Sequence, residues 1–119
     1  MNVPSVSVEE ANQILKENKD NVILLDVRTP GENAMSKITD TTLIPLNELQ
    51  SRVDELDKNK KILIYCATGN RSQIACHILQ QAGFENCFDV RGGISAWSRA
   101  GFDVERGEGG NPFAHLFNF

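Results

Sequence analysis

Apolar positions along the chain fall into two rhythms, one of helices and one of short buried strands. Val8, Ala11, Ile14 and Leu15 recur at helical spacing behind Ser7 and Glu10, a pair that reads as a capping box, and predict a helix over 8–17. After the polar stretch Asn18–Asn21, Val22-Ile23-Leu24-Leu25 is a continuous apolar run ending at Asp26. Such a run suits a strand buried on both faces. Thr29-Pro30-Gly31 reads as a break, and 32–42 is polar, with room for a helical turn near 32–36. Leu43-Ile44 predicts a short strand closed by Pro45, and apolar residues at 46, 49, 53 and 56 predict a helix.

The second half repeats the rhythm. A charged turn over 57–61 precedes Ile62-Leu63-Ile64-Tyr65, a second strong strand that runs directly into Cys66. A helix fits 71–82, with Ile74, Ala75, Ile78, Leu79 and Ala82 as its apolar stripe and Gly83 as its stop. Cys87 to Val90 reads as a strand, Gly92-Gly93 as a turn, and the residues carrying Ile94 and Trp97 as a short helix ended by Gly101. Alternating strands and helices imply an α/β domain with a mostly parallel sheet. The sequence divides into a domain over 1–104 and a tail over 105–119, Gly-rich at first and then aromatic.

Composition narrows the class. The 119 residues suit one domain, and 40% hydrophobic with 24% charged residues is the balance of a soluble globular chain. A net charge of -4 gives no general attraction to nucleic acid or to anionic membranes, and neither is expected as a partner. The apolar runs are too short for a membrane span. The start, MNVPSVSVEE, has neither the basic residues nor the apolar core of a secretory signal, so a cytoplasmic location is expected. Oligomeric state is not readable.

The three cysteines, Cys66, Cys76 and Cys87, are odd in number, which argues against a closed disulfide framework. Their spacing fits no compact zinc motif, and no metal is expected. Cys76 and Cys87 read as core residues, although a disulfide between Cys76 and Cys66 is an alternative. Trp97 reads as a packing anchor.

Cys66 stands apart because of what surrounds it. In Ile62 to Ser72, ILIYCATGNRS, a buried strand ends, the cysteine follows, and a short loop leads into a helix. Ligands of parallel α/β sheets bind at the carboxyl ends of strands. A tight loop there can aim backbone N–H groups at one point, and the helix start adds unpaired N–H groups. Gly69 permits angles closed to other residues, Arg71 adds a cation, and Ser72 can cap the helix or donate a hydrogen bond. Together these favour the thiolate of Cys66 without a histidine base. Asp26 and Arg28 also follow a strand end; they are read as bracing the loops, and Arg71 as a partner for an anion.

Four motifs, in order, resemble the rhodanese homology domain: Leu25-Asp26-Val27-Arg28, Ile44-Pro45-Leu46, the loop Cys66-Ala67-Thr68-Gly69-Asn70-Arg71-Ser72, and Arg91-Gly92-Gly93-Ile94-Ser95-Ala96-Trp97. The resemblance covers roughly residues 5–104. It implies a central, mostly parallel sheet of about five strands flanked by helices on both faces. It also implies a sulfurtransferase needing no cofactor, in which Cys66 attacks the outer sulfur of a donor and becomes a persulfide. Ala67 to Ser72 would form the loop that stabilises the persulfide's charge. Donor and acceptor would be small molecules or proteins: thiosulfate, a persulfide, cyanide or a thiol. One departure lies between Pro30 and Pro45. Many members carry a glutamate–aromatic pair and a Gly-His-Ile-Pro-Gly-Ala run; this chain has Glu32-Asn33 and Ser36-Lys37-Ile38-Thr39-Asp40-Thr41.

Two other classes compete. Cysteine phosphatases and arsenate reductases also hold a cysteine in an amide-lined loop before a helix. Their loop is longer by one residue, with arginine six positions after the cysteine, where this chain has Ser72. A non-catalytic interaction module of the rhodanese-like type is the other alternative. Because the loop is nearly uncharged apart from Arg71, weak use of thiosulfate and better transfer from persulfides are expected.

Overall fold

A computed structural model describes residues 3–107 of the chain. Its centre is a five-stranded, wholly parallel sheet in the order β1-β6-β5-β2-β4. The strands are β1 (Ser5–Val6), β2 (Val22–Asp26), β4 (Thr42–Leu43), β5 (Lys61–Tyr65) and β6 (Cys87–Val90). A two-stranded antiparallel ladder of β3 (Ser36–Lys37) and β7 (Glu105–Arg106) stands apart from it. The helices are α1 (Val8–Glu17), α2 (Pro30–Met35), α3 (Leu46–Arg52), α4 (Asn70–Gln81) and α5 (Gly93–Arg99).

The parallel sheet follows from its strands' composition. β5 is apolar on both faces, so neither side can be left to water. Ile62 and Ile64 face a core shared with α3 and α4, containing Leu25, Leu49, Ala75, Leu79 and Phe84. Leu63 and Tyr65 face the opposite core with α1 and α5, containing Ala11, Val90, Ile94 and Trp97. β2 pairs with β5 along its full length, from Val22 opposite Lys61 to Asp26 opposite Tyr65. The ends of these two central strands therefore lie level, and Asp26 and Cys66 emerge on the same edge.

Most expected elements stand where the periodicity puts them, and the Ser7–Glu10 capping box is formed. Three differences are informative. Thr29-Pro30-Gly31 starts a helix: Thr29 caps α2 in a second capping box with Glu32, and Pro30 occupies the first turn, where its missing N–H costs nothing. Ile74, assigned to the apolar stripe of α4, is 43% exposed, and the buried face carries Ser72, Ala75, Cys76 and Leu79. The polar Ser72 is inside because it has a hydrogen-bonding partner there. Finally, Glu105 and Arg106, assigned to the tail, form β7 and pair with Ser36 and Lys37. The aromatic part of the tail lies outside the described residues.

Trp97 is buried as an anchor; its indole N–H donates to the Asp103 carbonyl at 2.9 Å, and its ring packs on Phe102. No helix among the described residues is long and apolar enough to cross a membrane.

Candidate active site

The site is assembled at the carboxyl edge of β5. Cys66 follows Tyr65 directly, and residues 66–69 turn the chain into α4. The turn depends on Gly69, whose φ of 121° is open to glycine and strained for other residues. This geometry brings the Gly69 N–H to 3.1 Å from Cys66 Sγ, to which it donates. Ser72, on the first turn of α4, places its Oγ 3.5 Å from the same sulfur.

A second glycine holds the loop from behind. Gly93 has a φ of 60°, and a Cβ there would lie 2.7 Å from the Ala67 carbonyl oxygen and would collide with that of Cys66. The backbones touch because the N–H groups of Ile94 and Ser95, at the start of α5, donate to the carbonyls of Cys66 and Ala67 at 2.9 and 3.1 Å. The Gly92-Gly93 pair, which the sequence marks as a turn within the last rhodanese-like motif, is thus the seat of the cysteine loop.

The loop residues divide by exposure. Thr68 and Asn70 are exposed and Ala67 partly so, while Cys66, Gly69 and Ser72 are buried. Burial does not distinguish Cys66, because Cys76 and Cys87 are just as deep. Neighbours do. Cys76 and Cys87 face each other across α4 and β6, with their sulfurs 3.3 Å apart, in apolar surroundings. The contact with Cys87 and burial push the Cys76 thiol up. Cys76 bonds with Cys87 rather than Cys66, and all three are free thiols.

Arg71 sits beside the loop mouth, and its guanidinium is already engaged. Nη1 and Nη2 donate to the two carboxylate oxygens of Glu32 at 2.7 and 2.9 Å, each side chain about one-third exposed. Hydrogen bonding from Arg71 holds the Glu32 carboxyl at a pKa of about 2, with help from Thr29. Glu32 escaped the sequence reading as a site residue. Its signal was the Thr29-x-x-Glu32 capping pattern, which marks a helix start but does not reveal what the carboxylate faces.

Asp26 and Arg28 form a closed buried pair. Arg28 Nε and Nη2 donate to the two oxygens of Asp26 at 3.0 and 2.8 Å, with 4% and 0% of the side chains exposed. Arg28 Nη2 also donates to the Ser36 carbonyl at 2.6 Å, and Asn33 and Tyr65 donate to Asp26 at 3.0 and 3.3 Å. The Tyr65 hydroxyl accepts from the Ile38 N–H at 3.2 Å, and the Arg28 guanidinium lies over the Tyr65 ring. These bonds tie the 33–38 segment to the central strands, which is a bracing role. Asn33, standing where an aromatic is common, is a hydrogen-bonding member of this brace.

Among the described residues, no three His, Cys, Asp or Glu side chains converge as around a metal ion. His77 lies on the exposed face of α4, away from the sulfur.

A model of the Rhodanese-like domain family matches residues 7–100. A sulfurtransferase of Allochromatium vinosum is 37% identical over 107 residues, covering 90% of this chain and 99% of its own. A putative sulfur carrier protein of Bacillus subtilis is 31% identical over 81% of this chain, which spans about half of that relative's length (51%). Among solved structures, a rhodanese-related protein of Thermoplasma volcanium superposes with a TM-score of 0.75 at 36% identity, covering 86% of this chain and 97% of its own. With the cysteine loop, the paired glycines and the sheet order all in place, the chain belongs to the family of rhodanese-like domains.

Proposed function

We propose that the protein is a sulfurtransferase that carries a sulfane sulfur on Cys66 as a persulfide. The observation that carries this reading is the placement of Cys66 Sγ at the end of β5, within a short loop whose Gly69 N–H donates to it at 3.1 Å. Family membership and relatives named as a sulfurtransferase and a putative sulfur carrier support the same class.

The cycle has two displacements. The Cys66 thiolate attacks the outer sulfur of thiosulfate or of a persulfide. A new S–S bond forms, the old one breaks, and sulfite or a thiolate leaves with the bonding pair. The outer sulfur of the Cys66 persulfide is then anionic, and the amides of residues 67–72 are its stabilising surroundings. A thiophilic acceptor such as cyanide or a thiol attacks that sulfur and frees the Cys66 thiolate. No cofactor is needed to balance either step.

The loop supplies one side-chain cation, and Glu32 cancels it. A persulfide, with less charge to neutralise than the thiosulfate dianion, is therefore the better donor. The loop is also one residue shorter than that of the cysteine phosphatases, which suits one sulfur atom better than a tetrahedral oxyanion.

Intact mass spectrometry after exposure to thiosulfate or a persulfide tests the reading. A gain of one sulfur atom, absent in Cys66→Ala, is expected. No gain with any donor refutes it.

A further inference from the structure

A buried carboxyl lies behind the cysteine. Asp89, on β6, is 2% exposed, and among the described residues no lysine, arginine or histidine forms an ion pair with it. Its Oδ1 lies 2.5 Å from Ser72 Oγ. Ser72 is fully buried, and its Oγ is also 3.1 Å from the Gly69 carbonyl and 3.5 Å from Cys66 Sγ. The hydroxyl is a bridge between the acid and the sulfur.

Counting protons gives the bridge a direction. A serine hydroxyl has one hydrogen, and the Gly69 carbonyl can only accept. An ionised Asp89 can also only accept, so it competes with Gly69 for the single Ser72 proton, and Cys66 must then be the thiol that donates to Ser72. A protonated Asp89 donates its own O–H to Ser72 Oγ. The Ser72 hydrogen is then free to point at the Gly69 carbonyl or at a Cys66 thiolate. Both arrangements carry a single negative charge, on Asp89 in the first and on Cys66 in the second, and only the second frees the Ser72 hydrogen for the sulfur.

We propose that Asp89 receives the Cys66 thiol proton through the Ser72 hydroxyl, and so is a positioning residue for sulfur transfer. This rests on the sulfur-transfer reading of Cys66. The Cys66 S–H bond breaks and its proton passes to Ser72 Oγ, while the Ser72 hydroxyl proton passes to Asp89 Oδ1. Thiol plus carboxylate becomes thiolate plus carboxylic acid, with no change in total charge and no redox partner. The acceptor half-reaction returns Cys66 as a thiolate, so the proton can stay on Asp89 through the cycle. Burial pushes the Asp89 pKa up from its usual value, which makes this carboxylate a better proton acceptor than one in water.

Few other groups face Asp89. Ser72, Gln73 and Cys76 do so from α4, Arg91 from the end of its own strand, and Cys66 across Ser72 from β5. β1 contributes Ser5 and Val6, neither of which titrates in the working range. Burial pushes the carboxyl up and prevails over Ser72, Arg91 and Gln73, which pull it down.

The experiment is the rate of iodoacetamide alkylation at Cys66 across pH, resolved by peptide mass spectrometry so that Cys76 and Cys87 do not contribute. In the wild type, two groups sharing a proton give a biphasic rise, because the second proton leaves against the charge of the first. Asp89→Asn is expected to collapse the profile to one step, displaced from the upper wild-type step by roughly one pH unit or more. A single step with the same midpoint in both proteins overturns the proposal. If Asp89→Asn does not fold, the carboxyl carbon of Asp89 is followed by NMR in wild type and in Cys66→Ser. Its midpoint should shift by roughly a unit between them, and an unmoved midpoint is fatal to the idea. Sulfur loading is measured in parallel on the wild type. Its failure refutes the transferase reading, whereas failure of the titration alone removes only Asp89.

Discussion

Arg71, one residue into α4, clasps Glu32 of α2 through two hydrogen bonds of 2.7 and 2.9 Å, beside the mouth of the cysteine loop. The clasp neutralises the only side-chain cation of the 66–72 loop. Removing the carboxylate charge should therefore change how anionic donors are received. In Glu32→Gln, the KM for thiosulfate should fall by up to about tenfold, the effect of one unit charge at short range in a half-exposed setting, while that for a less charged persulfide donor should fall less. Equal effects on both donors would show that Glu32 acts on loop shape rather than on charge.

The same clasp predicts a titration. The Glu32 pKa is lowered in the folded protein from its usual 4.5 to about 2. A depressed carboxyl contributes stability that is present above 4.5 and lost as pH falls through about 2. The Glu32 carboxyl carbon, followed by NMR, should titrate near the lower value in wild type and move back toward the usual one in Arg71→Met. A midpoint unaffected by loss of Arg71 would mean that the Thr29 cap alone holds the carboxylate.

Asp26 and Arg28 are predicted to matter for stability before catalysis. Truncating Asp26 to Ala leaves the Arg28 guanidinium buried without its counter-charge, and breaking such a pair costs about 3–5 kcal/mol. Urea unfolding should show a loss of that size. A variant that keeps wild-type stability but loses sulfur transfer would move the pair from brace to reaction.

Gly93→Ala tests the seat of the loop. The left-handed backbone alone should cost roughly 1–3 kcal/mol, and the new Cβ would press on the Cys66 and Ala67 carbonyls. Sulfur loading should fall sharply. Gly101 has a φ of 86° with open space around it, so Gly101→Ala should show the backbone cost without the loss of loading.

Cys76 and Cys87 supply the last comparison. Cys76→Ala and Cys87→Ala should still load one sulfur, because neither thiol bonds to Cys66 among the described residues. Abolished loading in a folded Cys76→Ala protein would require a role for that thiol in the transfer.

Local pattern was enough to place most elements and to single out Cys66 as the candidate nucleophile. The continuous apolar runs at Val22–Leu25 and Ile62–Tyr65 could be satisfied only by burial on both faces, which the parallel sheet provides. A cysteine followed by a glycine-bearing loop and a helix start is contiguous in sequence, so Cys66, Gly69, Arg71 and Ser72 could be read together. Glu32, Asp89 and Gly93 could not, because each meets the loop from a different element. Glu32 lies 39 residues from Arg71, and Asp89 lies 17 from Ser72. A charge in the buried run Cys87-Phe88-Asp89-Val90 did signal that some polar partner must exist inside, since an unpaired buried carboxyl is costly. Its identity depends on how α4 packs on β6. Cys66 is thus visible from its neighbours in the chain, while Glu32, Asp89 and Gly93, which meet its loop from other elements, are neighbours only in space.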